Sequence, residues 1–165
     1  MNKLILTIGP SNCGKSYFAS MYAKNNKDKE HVIVLNRDEI RLSIFGLSTL
    51  KEYRLHRINE KLVTEIQKSI ADNSLIAYKN TPTPITIIVA DTNLNRLSRR
   101  FWTEYAQNNN LELVLKHDWS SDEIIDLEIL LERNRRRIKD GKPNPVPEYV
   151  ILAQYERYLE YIDSL

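Results

Sequence analysis

Residues 9–16 read Gly-Pro-Ser-Asn-Cys-Gly-Lys-Ser and follow directly on a short apolar run of Leu4, Ile5, Leu6 and Ile8. A nearly continuous apolar run of this kind suits a strand covered on both faces, as in a parallel sheet. After the loop, Tyr17, Phe18, Met21 and Tyr22 recur at helical spacing up to the polar stretch that starts near Lys24. The loop matches G-x-x-x-x-G-K-[ST] in full and lies between strand and helix, where that pattern has a physical meaning. Its backbone N–H groups turn inward beside the positive end of the helix dipole and form a cradle for phosphate oxygens. Lys15 is placed for the β- and γ-phosphates of a nucleotide such as ATP, and the Ser16 hydroxyl for Mg²⁺. Gly9, Ser11, Asn12, Cys13 and Gly14 form the loop around them, and Cys13, at a variable position, has no catalytic part.

The rest of the chain repeats the strand–helix alternation. Residues 32–35, 85–90 and 111–115 are apolar, β-branched runs and read as further strands. Leu55, Ile58, Leu62, Ile66 and Ile70 form a stripe that predicts one long amphipathic helix over residues 50–70. Asn95 is placed to cap a helix running through Gln107. Ser120 or Ser121 is placed to cap another reaching about Lys139, with Asp122 and Glu123 in its first turn. Residues 141–147 break regular structure, and residues 150–162 read as a terminal helix.

The expected fold is therefore α/β: a three-layer P-loop domain with a parallel sheet of about four to five strands, helices on both faces and a helical arginine lid. At 165 residues and 42% hydrophobic content, one domain over residues 1–165 is expected. A net charge of +2 is too small for a general nucleic-acid coat, so any basic surface must be local. Cys13 is the sole cysteine, which excludes an internal disulfide and fits a reducing, cytoplasmic setting. The N-terminal run is too short for a membrane span, and no membrane association is expected.

Ligands of such sheets lie at the carboxyl ends of the strands, so the residues just beyond each strand are candidates for chemistry. The second strand leads into Asn36, Arg37, Asp38, Glu39, Ile40 and Arg41. A hydroxyl nucleophile needs a proton acceptor within hydrogen-bond reach, and Asp38 can supply it. Arg41, three residues on, can face the same cleft and hold an acceptor phosphate. The same pattern fits a surface helix start in which Asp38 is an N-cap. The third strand leads into Asp91, which can order Mg²⁺ through water or fix a nearby arginine. Asn93 and Asn95 are better placed than Asp91 for capping.

Beyond Ile124, Leu127, Leu130 and Leu131, the next helix turns basic at Arg133, Arg135, Arg136 and Arg137. Arg133 and Arg137 are four apart and share a face that can point at a polyphosphate. A charge run alone is ordinarily a solvated face; in a chain with a phosphate loop it supplies the cationic lid that kinases need. His31, His56 and His117 have no metal-ligand spacing, and Tyr149, Tyr155, Tyr158 and Tyr161 read as a mixture of core and surface positions.

The order and spacing of these segments, with Asp91-Thr92-Asn93-Leu94-Asn95 and Arg133-Asn134-x-x-Arg137 among them, resemble the kinase domain of phage-type polynucleotide 5′-hydroxyl kinases over essentially the whole chain. The resemblance implies an ATP- and Mg²⁺-dependent enzyme acting on nucleic-acid 5′-OH ends, as in nucleic-acid repair. It implies Asp38 as general base, Arg41 on the acceptor's adjacent phosphate and Asp91 holding Arg41. Lys15, Ser16, Arg133 and Arg137 would attend the ATP phosphates, with Arg137 as the transition-state arginine. Thr92 and Val146 fall where that family lines its acceptor pocket. The phage enzyme also carries a phosphatase domain; nothing up to Leu165 matches one, so 3′-phosphatase activity is not expected. Two other readings share the phosphate loop: a kinase of a small metabolite or nucleoside, and a nucleotide-binding module that transfers nothing.

Overall fold

The structure is a computed structural model describing residues 1–55, 60–121 and 124–165. Four strands, β1 (Lys3–Thr7), β2 (His31–Leu35), β3 (Ile85–Val89) and β4 (Glu112–Lys116), form one sheet in the order β2-β3-β1-β4. Every pairing is parallel, with Leu6 beside Val89, Leu35 beside Val89 and Thr7 beside Lys116, so the carboxyl ends of the strands lie together at one edge.

The alternation of side chains in β1 and β3 divides the interior. Leu4, Leu6, Ile85, Ile87 and Val89 enter the larger core, whereas Ile5, Ile88 and Ala90 face the other side. That second side is covered by α1 (Lys15–Asn26) through Ala19, with Phe18 and Tyr22 partly buried. The larger core takes Ala71 from α4 (Glu60–Ala77), Trp102, Tyr105 and Ala106 from α5 (Arg96–Asn108), Leu130 and Leu131 from α6 (Leu127–Lys139), and Ile151, Tyr158 and Tyr161 from α7 (Glu148–Asp163). Two shorter helices, α2 (Arg37–Phe45) and α3 (Leu50–Leu55), complete the fold. The expected α/β architecture with a parallel sheet between helices is the one observed. Among the described residues, no helix is long and apolar enough to cross a membrane.

Three local expectations are corrected. First, the stripe expected to face inward over residues 50–70 does not, although helix is found at both ends of it, in α3 and α4; residues 56–59, with Ile58 and His56, lie outside the described residues. The buried face of α4 is Val63, Gln67 and Ala71, while Leu55, Leu62 and Ile70 are exposed. The face is turned because Gln67 reaches a buried carboxylate in the cleft, a polar contact that an apolar stripe does not register. Second, α6 starts at Leu127 under an Asp126 cap that accepts from the Glu128 amide (3.0 Å). Neither Ser120 nor Ser121 caps it, since Trp119 is tied to the Ile8 carbonyl (2.8 Å) and Ile125 is buried, which holds the connection against the sheet. The expected acidic first turn, Asp122 and Glu123, lies outside the described residues. Third, Tyr17 points outward and is 72% exposed, so the inner face of α1 is built on Lys15 and Ala19.

Candidate active site

The phosphate loop takes its shape from two left-handed positions, Asn12 (φ 67°) and Gly14 (φ 115°). Gly14 forms the start of α1, and no atom approaches within 4 Å of where its Cβ would stand, so its requirement is conformational. Gly9 is a matter of space: a Cβ there would collide with Trp119 Nε1 and lie 2.8 Å from Cys13 Sγ. The Gly9 amide donates to the Thr92 carbonyl (3.0 Å), joining the start of the loop to the end of β3.

Inside the loop, Lys15 is buried and its ammonium donates to the Gly9 carbonyl (3.1 Å) and the Pro10 carbonyl. Ser16 is exposed in the first turn of α1 and lines the cleft. The Cys13 thiol is buried; desolvation pushes its pKa up against the opposing pull of Lys15, which suits a bystander better than a nucleophile.

The cleft above the loop has a volume of 1440 Å³. Ser11, Asn12, Cys13, Gly14, Lys15 and Ser16 line it from the loop, Asp38, Arg41, Asp91 and Thr92 from the ends of β2 and β3, and Arg133, Arg137 and Val146 complete the lining. Gly9, at the base of the loop, is not among the lining residues.

On the α2 side, the N-cap is Asn36, whose side chain accepts from the Glu39 amide (3.0 Å). That frees Asp38 from the capping role, and its Oδ1 accepts from Arg41 Nη1 at 2.8 Å. The expectation that Asp91 grips Arg41 is not what the described hydrogen bonds give. Asp91 Oδ1 accepts from the backbone amide of Arg37 (2.8 Å) and Oδ2 from Gln67 Nε2 (2.7 Å). Desolvation pushes the Asp91 carboxyl above its ordinary pKa, while the Arg37 amide and Gln67 pull it down. Asp91 therefore fixes the start of α2, the helix that carries Asp38 and Arg41. Arg41 is held by Asp38 and by Glu60, through Nε to Oε1 (3.0 Å) and Nη2 to Oε2 (2.6 Å).

In α6, Arg133 donates to the Asn12 carbonyl (2.9 Å) and Arg137 to the Pro143 carbonyl (3.1 Å), both facing the cleft. Arg135 and Arg136 face away and pair with Glu128, Glu148 and Glu132. Between the two arginine pairs, Asn134 is fully buried. It binds both backbone groups of Val146, donating to the carbonyl (2.6 Å) and accepting from the amide (3.1 Å), and accepts from Asn12 Nδ2 at 3.4 Å. One amide thereby links the phosphate loop, the arginine helix and the segment before α7.

Sequence reasoning missed Glu60, Gln67 and Gln154, the last of which accepts from the Ser11 amide (2.8 Å). Their partners lie far away in sequence, and none falls in a motif. Asn134 lay inside a quoted segment; a polar residue at an inward helix position was the available signal.

Comparison with known proteins agrees with this geometry. A protein of Autographa californica nuclear polyhedrosis virus, assigned as a bifunctional polynucleotide kinase/RNA ligase, is 30% identical over 162 residues, which cover 96% of this chain and 21% of that protein. The chain thus spans about a fifth of that relative's length. A chain in the structure of the Pnkp1/Rnl/Hen1 RNA repair complex shares the fold, with a TM-score of 0.67 at 19% identity, over 99% of this chain and 46% of that one. The model of the family described as AAA domain matches residues 4–161, nearly the whole sequence, and the chain belongs to this family.

Proposed function

We propose that residues 1–165 form a single ATP-dependent polynucleotide 5′-hydroxyl kinase domain that transfers a phosphoryl group to the 5′-OH of DNA or RNA ends, as in nucleic-acid repair. The observation that carries this reading is the Asp38–Arg41 pair (2.8 Å), set at the start of α2 and lining the same cleft as Lys15. A base beside a phosphate-binding guanidinium is what a hydroxyl flanked by a phosphodiester requires. The relative's name supports the same acceptor class.

The loop fits a nucleotide: left-handed Asn12 and Gly14 shape a backbone cradle, and Lys15 and Ser16 are at its mouth. Mg-ATP bound there supplies the transferable γ-phosphoryl group and a divalent charge beside it. Lys15, Arg133 and Arg137 neutralise charge that develops on the phosphate oxygens, Arg137 chiefly in the transition state, and Ser16 is the protein ligand for the ion. Asp38 keeps Oδ1 on Arg41 and accepts the acceptor's hydroxyl proton at Oδ2, which makes no described hydrogen bond. Arg41 holds the adjacent phosphate, with Thr92 and Val146 lining the acceptor pocket and Asp91 keeping the turn in place.

Incubation with γ-labelled ATP, Mg²⁺ and a panel of 5′-OH oligonucleotides, nucleoside 3′-phosphates, plain nucleosides and sugars tests the proposal. Labelling of oligonucleotides and nucleoside 3′-phosphates well above plain nucleosides is expected. Equal labelling of both classes overturns the acceptor assignment and favours a small-metabolite kinase. An Asp38→Asn variant that binds ATP without transferring phosphate separates an enzyme from a binding module.

A further inference from the structure

Arg41 presents its guanidinium to the cleft with all three of its nitrogens donating to carboxylates. Nη1 is on Asp38 (2.8 Å), and the Nε/Nη2 edge makes a two-bond fork with Glu60 at 3.0 and 2.6 Å. That edge offers the parallel donors a phosphate uses. The Arg41 side chain is only 14% exposed, whereas Glu60, which pairs with it, is 50% exposed. Glu60 Oε2 also accepts from Arg37 Nη2 (2.7 Å), and Arg37 is held on α4 by Thr64 (2.8 Å) and by the Glu60 carbonyl (3.0 Å). Burial works to raise the Glu60 pKa, but Arg41 and Arg37 hold it below its ordinary value, so it is an anion at neutral pH.

We propose that Glu60 is a built-in competitor in the acceptor site, a carboxylate on Arg41 that only an acceptor phosphate displaces. The proposal rests on the reading of the α2 side as the acceptor site. On arrival of a phosphate, the Nε/Nη2 fork passes from carboxylate to phosphate, and Glu60 keeps its bond to Arg37. The displaced carboxylate is therefore never left without a cationic partner, and the exchange avoids the penalty of an unpaired, partly buried charge. An acceptor lacking the phosphate has nothing to offer Arg41 and leaves Glu60 across it. Attraction of the phosphate comes from Arg41, and Glu60 sets the affinity that the phosphate must exceed to take its place.

The test is calorimetric binding of a 5′-deoxynucleoside 3′-phosphate, which carries the phosphate but no reactive hydroxyl. Glu60→Gln and Glu60→Ala are expected to bind it about tenfold more tightly than the wild type, because a neutral partner or none replaces a charged competitor. Arg41→Ala is expected to lose the binding. If neither Glu60 variant binds more tightly, including the case in which no protein binds at all, the assignment is overturned. A purely structural role would show as weaker binding with kcat lowered on every acceptor, which also overturns it. Failure of the polynucleotide reading appears elsewhere, as equal transfer to phosphate-bearing and plain nucleosides by the wild type.

Discussion

On the phosphate-loop side of the cleft most contacts end on backbone atoms, whereas the α2 side is built around ion pairs between side chains. Lys15, Trp119, Arg133 and Gln154 all bind main-chain groups of residues 8–12. Arg41 pairs with Asp38 and Glu60, Arg37 pairs with Glu60, and Asp38 and Glu60 are about half exposed. A backbone cradle is fixed by the fold and accepts any polyphosphate that fits. A half-exposed ionic network can exchange one anion for another at modest cost, and is weakened by salt. On the proposed function the loop side is the donor side, suited to holding one ligand in one geometry, and the α2 side the acceptor side, suited to choosing among ligands.

The sharpest way to break this comparison is to remove the charge at the centre of the donor side. Lys15→Ala should lower phosphate transfer by about 10³-fold or more while the thermal transition stays in place, since the loop retains its backbone shape. Near-normal turnover would take the loop out of the reaction. Arg137→Ala comes next, with an expected loss in kcat of about 10³-fold and little change in the Michaelis constant for ATP. If only that constant rises, Arg137 is a ground-state ligand and the transition-state role passes to Arg133.

The difference between the two sides also explains what could be read from the sequence. The donor side is contiguous: strand, glycines, Lys15 and Ser16 lie within residues 3–16, and local spacing sufficed to place them. Arg133 and Arg137 were legible because a helix puts positions four apart on one face. On the acceptor side only the Asp38–Arg41 spacing is local. Glu60 reaches back 19 residues to Arg41, and Asp91 reaches 54 to the Arg37 amide, distances over which periodicity carries no information. The face of α4 was misjudged for a related reason. The stripe through Leu62 and Ile70 is more apolar than the face through Gln67, yet Gln67 faces inward, where Asp91 accepts from it.

That contact gives a smaller effect, confined to the acceptor side. Gln67→Leu leaves Asp91 Oδ2 without its donor in a desolvated place, which should cost about 1–3 kcal/mol of stability in urea unfolding. Because Asp91 then holds the Arg37 amide less well, the Michaelis constant for the acceptor should rise while that for ATP does not. A rise in both would show that the two sides are mechanically one unit.

The smallest effect expected lies behind the donor side, where α7 supports the loop through Gln154. Tyr158 in that helix is fully buried, and its hydroxyl donates to the His117 carbonyl just beyond β4 (2.7 Å). Tyr158→Phe removes the donor and should cost about 1 kcal/mol at pH 7, with kcat unchanged because no lining residue is touched. Burial, foremost, pushes the Tyr158 pKa up to about 12 from an ordinary value of 10.0. The folded state thus holds the phenolic proton more tightly than the unfolded chain does. Its contribution is complete below about pH 10, and is lost as pH rises toward the folded value of about 12. At pH 11 the ionising unfolded tyrosine should draw the wild type down by about 1.4 kcal/mol relative to the phenylalanine variant. Urea midpoints at pH 7, 9 and 11 should therefore show the wild type ahead at the first two values, and the gap closed or reversed at the third. A gap that stays constant to pH 11 would mean that this phenol ionises as easily in the folded protein as in the unfolded chain.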